Sequence, residues 1–182
     1  MVQLRAELEG IDPPVWRRVL VSSRATLAEL HGVLQRCFGQ GDTMPHRFVI
    51  DGVRFEDPES GGDPAHWTGH NDLRSIALGA GARLIHEVET GDQPWRQVLT
   101  VELRSPRLVG QRLPWCTEGA GASPPDDCDG PVRYRALLAA LNSPLDPRAV
   151  ELREWLPDDF DPGFVDLTTI NAELGRLPKQ RL

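Results

Sequence analysis

The sequence predicts an α+β fold class: a β-grasp-like (ubiquitin-like) roll with a C-terminal helical extension. Three observations carry this prediction: two alternating strand patterns before residue 22, a capped helix that begins after Thr26, and a hairpin signal at Asp51-Gly52. Two strands, a helix, a hairpin and a further strand follow one another as in a β-grasp core, with helices trailing behind. This analogy concerns the fold only and predicts no activity.

The first strand is predicted by apolar residues at every second position, which give it one buried and one wet face. These residues are Val2, Leu4, Ala6 and Leu8. A turn at Pro13-Pro14 follows, and a second strand is expected over residues 15–21. We expect Arg17 and Arg18 to lie along its edges, with their aliphatic stems packed and their charged heads in water.

The first helix has a defined start and a defined end. Thr26 and Glu29 are spaced as in a capping box, in which each side chain bonds the backbone N–H of the other residue. Apolar residues then recur every three or four positions up to Phe38. Gly39 permits the left-handed turn that commonly ends a helix.

The next strands are predicted around a tight turn. Asp51-Gly52 separates two short apolar runs, and such a two-residue turn needs positive φ at both central positions. A further strand is predicted over residues 83–88. Residues 97–103 alternate again, and we expect them to pair with 83–88 as a hairpin at the edge of the sheet.

The second half of the chain is predicted to be less regular, because prolines and glycines interrupt it. Three short helices are expected near its end, opening at Pro131, Pro147 and Leu167. We assign the chain to one domain, 1–182, with the sheet and first helix in 1–104, an irregular connection in 105–129 and the packed helical extension in 130–178.

Composition narrows the class of protein. A chain of 182 residues suits one domain, and its net charge of −7 disfavours nucleic acid and anionic membranes as partners. No apolar run approaches the roughly 20 residues that span a bilayer, and the charged start of the chain is unlike a signal peptide. Cys37, Cys116 and Cys128 are too few for a disulfide framework and fit a reducing compartment. We therefore expect a cytoplasmic protein.

Several runs, spread over nearly the whole chain, are similar to one known family. They are Ile11-Asp12-Pro13-Pro14-Val15-Trp16-Arg17-Arg18, Leu27-Ala28-Glu29-Leu30-His31, Pro45-His46-Arg47-Phe48, Pro124-Pro125-Asp126-Asp127-Cys128, Glu154-Trp155-Leu156 and Asp166-Leu167. The chain thus resembles the plasmid open-reading-frame-three-like family, also known as the "TnpR-like" passenger protein of a mycobacterial insertion element. The resemblance implies a β-grasp-like roll with trailing helices and an association with mobile elements, and it implies no settled activity. A recombinase, which the name "TnpR" suggests, needs a basic DNA-binding arm, and this sequence has none.

The chain departs from the family pattern at two positions of chemical interest. Relatives tend to carry a His where this chain has Gln97, and they commonly carry a further Cys where it has Ser123. The resemblance therefore implies that a site built from that His or that Cys is impaired here.

The cysteines and histidines of this sequence favour zinc over other metals. Cys116 and Cys128 are the candidate ligands, with His46 or His86 as a third, because thiolate and imidazole suit Zn²⁺. The two cysteines lie further apart in sequence than paired zinc ligands usually do, and Ser123 is a poor ligand. Two interpretations stay open: a zinc site, or buried thiols that pack as small apolar side chains.

A partner-binding site is predicted at Asp92, Trp95 and Arg96, in a turn between two predicted strands. An exposed Trp beside an Arg is typical of an interface hot spot. The alternative is a Trp folded back over the sheet.

Three functions remain open at this point. We expect a non-enzymatic protein-interaction module with an unknown protein partner, because no catalytic signature is present and the charge is acidic. The second is a small-molecule or metal-dependent enzyme with a cleft between the sheet and the C-terminal helices. The third is a DNA-associated element protein, which the charge disfavours.

Overall fold

Seven strands form one antiparallel sheet in the order β4-β3-β5-β6-β1-β2-β7. The strands are β1 Val2–Leu8, β2 Trp16–Val21, β3 His46–Ile50, β4 Val53–Glu56, β5 Arg83–Val88, β6 Trp95–Arg104 and β7 Trp115–Ala120. The helices are α1 Leu27–Phe38, α2 Gly130–Leu141 and α3 Leu167–Leu174. The structure, a computed structural model, describes residues 1–40, 44–57, 62–76, 79–89, 93–125, 128, 130–143, 156 and 160–180.

The α+β class fits this structure, but the β-grasp assignment is wrong. Strand β6 is ten residues long and lies between β5 and β1, where Leu4 stands opposite Val101. The sequence prediction placed this segment at an edge of the sheet. Its pairing with β5 was correct, but alternation along a strand does not reveal whether a second neighbour lies on its other side. The result is one broad sheet instead of a short roll.

Strand β7 is the second departure, because it lies within the segment 105–129 that we expected to be irregular. It begins directly after Pro114 and contains Gly119. Its pairing with β2 also shifts register between Arg18 and Val19, which leaves Thr117 as an extra residue. A bulge of this kind breaks the period of two that identifies a strand in a sequence.

One face of the sheet forms the core and the other faces water. Every second residue of β1 is fully buried, and every second residue is also buried along β5 and most of β6. The outer face carries ion pairs between strands: Arg18 of β2 bonds Glu102 of β6 across β1, and Glu87 of β5 bonds Arg47 and Arg96 on its two neighbouring strands. Charges of opposite sign therefore neutralise one another across the outer face, where exposed pairs contribute little stability each.

Local signals in the sequence were read correctly at α1 and at the first hairpin. Both bonds of the capping box are present, from Thr26 N–H to Glu29 and from Glu29 N–H to Thr26. Gly39 ends α1 in the left-handed conformation. Asp51 and Gly52 have φ values of 49° and 80°, as the tight turn requires.

The C-terminal helices agree in part with expectation. Helix α2 contains Pro131 and buries Tyr134 and Leu137, as its spacing indicated. Helix α3 is capped by Asp166, which accepts bonds from two backbone N–H groups, and it ends at Leu174. The helix expected to open at Pro147 lies outside the described residues. Among those residues, no helix is long and apolar enough to cross a bilayer.

Candidate functional site

A chain of polar side chains runs through the core between α1 and the sheet. His31 Nδ1 lies 2.9 Å from His86 Nε2, and His86 Nδ1 lies 3.1 Å from the Gln97 carbonyl oxygen Oε1. Gln97 Nε2 in turn donates to Gln40 Oε1 at 3.1 Å. A carbonyl oxygen only accepts, so His86 carries its proton on Nδ1, and its Nε2 accepts the proton of His31 Nδ1. All three hydrogen bonds therefore point from α1 towards Gln40.

The three buried imidazoles in this part of the core, those of His31, His46 and His86, are held neutral. Burial lowers the pKa of His31 to about 3 and lowers the pKa of the fully buried His86 well below its usual value. The His46 ring stacks on His31 with ring centres 3.5 Å apart, and burial lowers its pKa too. His46 Nε2 is buried and has no hydrogen-bond partner among the described residues. These rings can donate and accept hydrogen bonds, but they are poor proton acceptors at neutral pH.

A second polar cluster surrounds Arg17, which is only 1% exposed. The sequence prediction placed this guanidinium in water, and that was wrong. Its Nε donates to Cys37 O at 3.1 Å, and its two terminal nitrogens donate to Trp16 O, Ala120 O and Ser123 Oγ. No carboxylate contacts it in the described part of the chain. Backbone dipoles therefore stabilise a buried positive charge.

Room for the guanidinium comes from β7. Gly119 stands directly opposite Arg17 in the β2–β7 ladder. A Cβ atom at this glycine would lie 2.9 Å from Arg17 Cδ and equally close to Trp16 O. A side chain at this position is therefore excluded by the folded sheet.

Cys37 and Cys116 lie beside Arg17 and interact with each other. A hydrogen bond from the Cys37 thiol, together with the charge of Arg17, lowers the pKa of Cys116, against the opposing effect of burial. The same contact and complete burial raise the pKa of Cys37 well above its usual value. The Cys116 thiolate, when formed, is therefore stabilised by the charge of the buried guanidinium. Its 1% exposure keeps reagents away in the folded state.

The residues proposed as zinc ligands are dispersed between these clusters. Cys116 contacts Cys37, His46 stacks on His31, and Cys128 is buried with its thiol 3.9 Å from Gly130 O. No three His, Cys, Asp or Glu side chains are grouped to hold a metal ion in the part of the chain that the structure describes. The structure therefore does not bring Cys116, Cys128 and His46 together as one ligand set.

The residues proposed for partner binding are also placed differently from expectation. Trp95 is 3% exposed and packs edge-to-face on Tyr134, so the alternative of a Trp folded over the sheet describes it better. Arg96 lies on the outer face and bridges Glu87 and Glu9. Asp92 lies outside the described residues.

A pocket of about 560 Å³ opens between the start of β7 and α3, and we call it the β7–α3 pocket. Its apolar wall includes Trp115, Leu174 and Leu177. Three basic residues also line it: Arg107, Arg112 and Lys179. The pocket lies between the sheet and a C-terminal helix, but Cys128, His46 and His86, the candidate metal ligands, do not belong to its walls. Its volume is within the range of small-molecule sites.

The connection between β6 and β7 adds an ordered turn beside this pocket, residues 107–111, which we call the β6–β7 turn. Leu108 N–H donates to the Gln111 side chain, and Gln111 N–H donates back to Leu108 O, both at 3.1 Å. Arg107 Nε donates to Gln111 O at 2.9 Å. Yet Leu108 is 72% exposed and Val109 is fully exposed. The turn therefore presents two apolar side chains to solvent on a fixed backbone.

Sequence reasoning missed Arg17, Gln97 and the chain from His31 to Gln40, although one signal was present. Arg17 is in phase with buried Val15 and Val19, and Gln97 is in phase with buried Leu99. A polar residue at an inward position of a strand predicts a buried polar contact. Gln97 and Ser123, the two departures from the family pattern, each belong to one of the two clusters.

Three comparisons with known proteins name no activity, and one of them, with a solved structure, agrees with the fold. The family model described as "Plasmid pRiA4b ORF-3-like protein" matches residues 1–169. The uncharacterized protein y4hQ of Sinorhizobium fredii is 30% identical over 179 residues, which cover 97% of this chain and 92% of that protein. The crystal structure of a protein of unknown function from Methanosarcina mazei Go1, MM3350, superposes with a TM-score of 0.79 at 25% identity and covers 91% of this chain and 94% of that one.

Proposed function

The chain belongs to the plasmid pRiA4b ORF-3-like protein family, and we propose that it acts as a non-enzymatic protein-interaction module. The observation that carries this proposal is the β6–β7 turn, with Leu108 and Val109 exposed on an ordered backbone. Burial of these two side chains by a partner contributes about 3–6 kcal/mol before the costs of association. A turn that is already ordered loses little conformational entropy on binding, so more of this energy is retained.

The two polar clusters favour this function over an enzyme. His86, Gln97 and Cys116 are 1% exposed or less, so a substrate has no direct access to them in the folded state. Their hydrogen bonds are directed at one another and at the backbone. They support a rigid scaffold on which the turn is presented.

The proposal also includes a cellular compartment and an association with mobile elements. The three cysteines are free thiols, which supports a reducing compartment such as the cytoplasm. The plasmid in the family description supports an association with mobile elements, and it suggests plasmid-bearing cells as the place to look for the partner.

Site-specific photocrosslinking tests the proposal. A photoreactive amino acid at Val109 is expected to give one recurrent protein adduct in native cells. The matched control is the same residue at Val132, an apolar side chain of α2 that is 50% exposed. The double variant L108S/V109S should fold with unchanged circular dichroism and lose co-purification of the adducted protein. Equal adducts at both positions, or none at Val109, would contradict the proposal.

A further inference from the structure

The β7–α3 pocket is lined by basic residues, although the protein as a whole is acidic. The chain has 27 acidic and 20 basic residues, yet Arg107, Arg112 and Lys179 line the pocket and no described Asp or Glu does. Arg112 and Lys179 make no ion pair with any residue that the structure describes. Three cations around one concavity repel one another, and an anion between them removes that repulsion.

Gln180 supplies a second and independent observation at the same pocket. It belongs to the pocket wall and is 6% exposed. Its Oε1 accepts the backbone N–H of Ser22 at 2.8 Å, which fixes the orientation of the side-chain amide. Its Nε2 is buried and has no acceptor among the described residues. An unpaired buried N–H destabilises the fold, and an oxyanion at this wall would supply the missing acceptor.

The remaining wall is apolar. Trp115 and Leu177 face the same space, and both are only half-buried. A fully hydrated inorganic ion would leave this surface uncovered, whereas a ligand with a short hydrocarbon body would cover it. The pocket volume of about 560 Å³ accommodates such a molecule.

We propose that the β7–α3 pocket binds a small organic anion, a carboxylate or phosphate monoester whose oxyanion lies among Arg112, Lys179 and Gln180 and whose apolar body packs on Trp115 and Leu177. This inference is independent of the protein-interaction proposal, which depends on the β6–β7 turn. The carboxylate and the phosphate monoester share the oxyanion chemistry, and the test separates them.

Titration of the full chain, followed by ¹H–¹⁵N NMR, tests the site. The probes are hexanoate, hexyl phosphate, 1-hexanol and inorganic phosphate, each in low-salt buffer. Hexanoate or hexyl phosphate is expected to shift the Trp115 indole N–H and the Gln180 side-chain NH₂ signals, and the tighter of the two identifies the head group. 1-Hexanol should bind at least about tenfold more weakly, because it lacks the charge. Added NaCl should weaken the binding of the two anionic probes and leave the binding of 1-hexanol unchanged.

Three variants and one matched control test whether the proposed residues bind the anionic head group. R112Q and K179Q should each lower the affinity for the tighter-binding probe by about fivefold or more. Q180E keeps an oxygen to accept the Ser22 N–H. It should lower that affinity further, because its negative charge repels the anion. R54Q, which removes an exposed arginine from β4, should bind as the original chain does.

The outcomes decide the matter in either direction. The proposal is overturned if 1-hexanol binds as tightly as the anions, if inorganic phosphate alone reproduces the shifts, or if no probe shifts Trp115 and Gln180. It is equally overturned if R54Q has the same effect as R112Q and K179Q. Unchanged backbone spectra of the variants establish that a loss of binding is not a loss of fold.

Discussion

Asn171 of α3 makes two hydrogen bonds with the backbone of one residue, Cys116 of β7. Its Nδ2 donates to Cys116 O, and its Oδ1 accepts the Cys116 N–H, both at 2.8 Å. Strand β7 lies at the edge of the sheet, so these bonds satisfy backbone groups that no other strand pairs in the described part of the chain. An edge that is covered in this way offers less of a template for another chain.

Asn171 is therefore expected to stabilise the sheet edge. N171A leaves both Cys116 groups without this partner and should lower the free energy of unfolding by about 2 kcal/mol. Urea denaturation measures it, with N142A, an exposed Asn after α2, as the control. An unfolding midpoint of N171A equal to that of N142A would mean that α3 does not hold β7 in this way.

Stability should fall as the pH is lowered from 7 to 5. The pKa values of His31, His46 and His86 are lowered by burial, so the folded protein keeps these rings neutral while the unfolded chain takes up protons below about pH 6.5. Each ring that stays neutral costs up to about 1.4 kcal/mol per pH unit below that value. The loss is complete only below the folded pKa, which is about 3 for His31.

The variant H86Q isolates this effect, since it removes one buried imidazole. Its unfolding free energy should depend less steeply on pH between 7 and 5 than that of the original chain. H70Q, which removes an exposed histidine outside the cluster, is the control. If all three chains show the same slope in urea melts across this range, the buried rings do not cause the acid sensitivity.

Arg17 should be among the residues least tolerant of substitution. R17M keeps the apolar stem but leaves the oxygens of Cys37, Trp16 and Ala120 without their donor, and it should cost about 3 kcal/mol or more. Chemical denaturation with R54M as the control for an exposed arginine measures the difference. A stability change of R17M within 0.5 kcal/mol of R54M, about the usual range for surface positions, would show that the buried charge is dispensable.

The thiol of Cys116 should titrate below an ordinary cysteine. Thiolate absorbance near 240 nm, recorded for the folded chain and for C116S, gives the difference that belongs to this residue. Its midpoint is expected at a lower pH than that of an ordinary cysteine, because the Cys37 thiol and Arg17 favour the charged form. C128S is the matched control and should keep this transition. A difference curve with its midpoint at or above that of an ordinary, solvent-exposed cysteine would mean that burial outweighs both contacts.

The sequence identified most elements because their signals are local. The Thr26–Glu29 capping box and the Asp51-Gly52 turn depend on residues within four positions of one another, and both are present in the structure. The order of the strands depends on contacts between residues far apart, such as Leu4 and Val101. No pattern along the chain encodes which strand inserts between two others, and this is why the β-grasp assignment was wrong.

The candidate sites were harder to predict for a related reason. Trp95 was a fair candidate for an interface from its type and position, but its phase in β6 places it in the core. The pocket joins Arg112 to Lys179 and Gln180, which are more than sixty residues away in sequence. Only the docking of α3 on β7 creates that neighbourhood, and the strand β7 had not been recognised.

The donors of Arg17 bind four acceptors at three places along the chain, and the last of these acceptors is Ser123. During synthesis, the ribosome makes β1, β2 and α1 long before it reaches this serine. A nascent chain that stops short of β7 lacks the acceptors at Ala120 and Ser123, so two of the four hydrogen bonds that hold the guanidinium inside the fold cannot form. We expect the polypeptide to become resistant to protease only after residue 123 has left the exit tunnel.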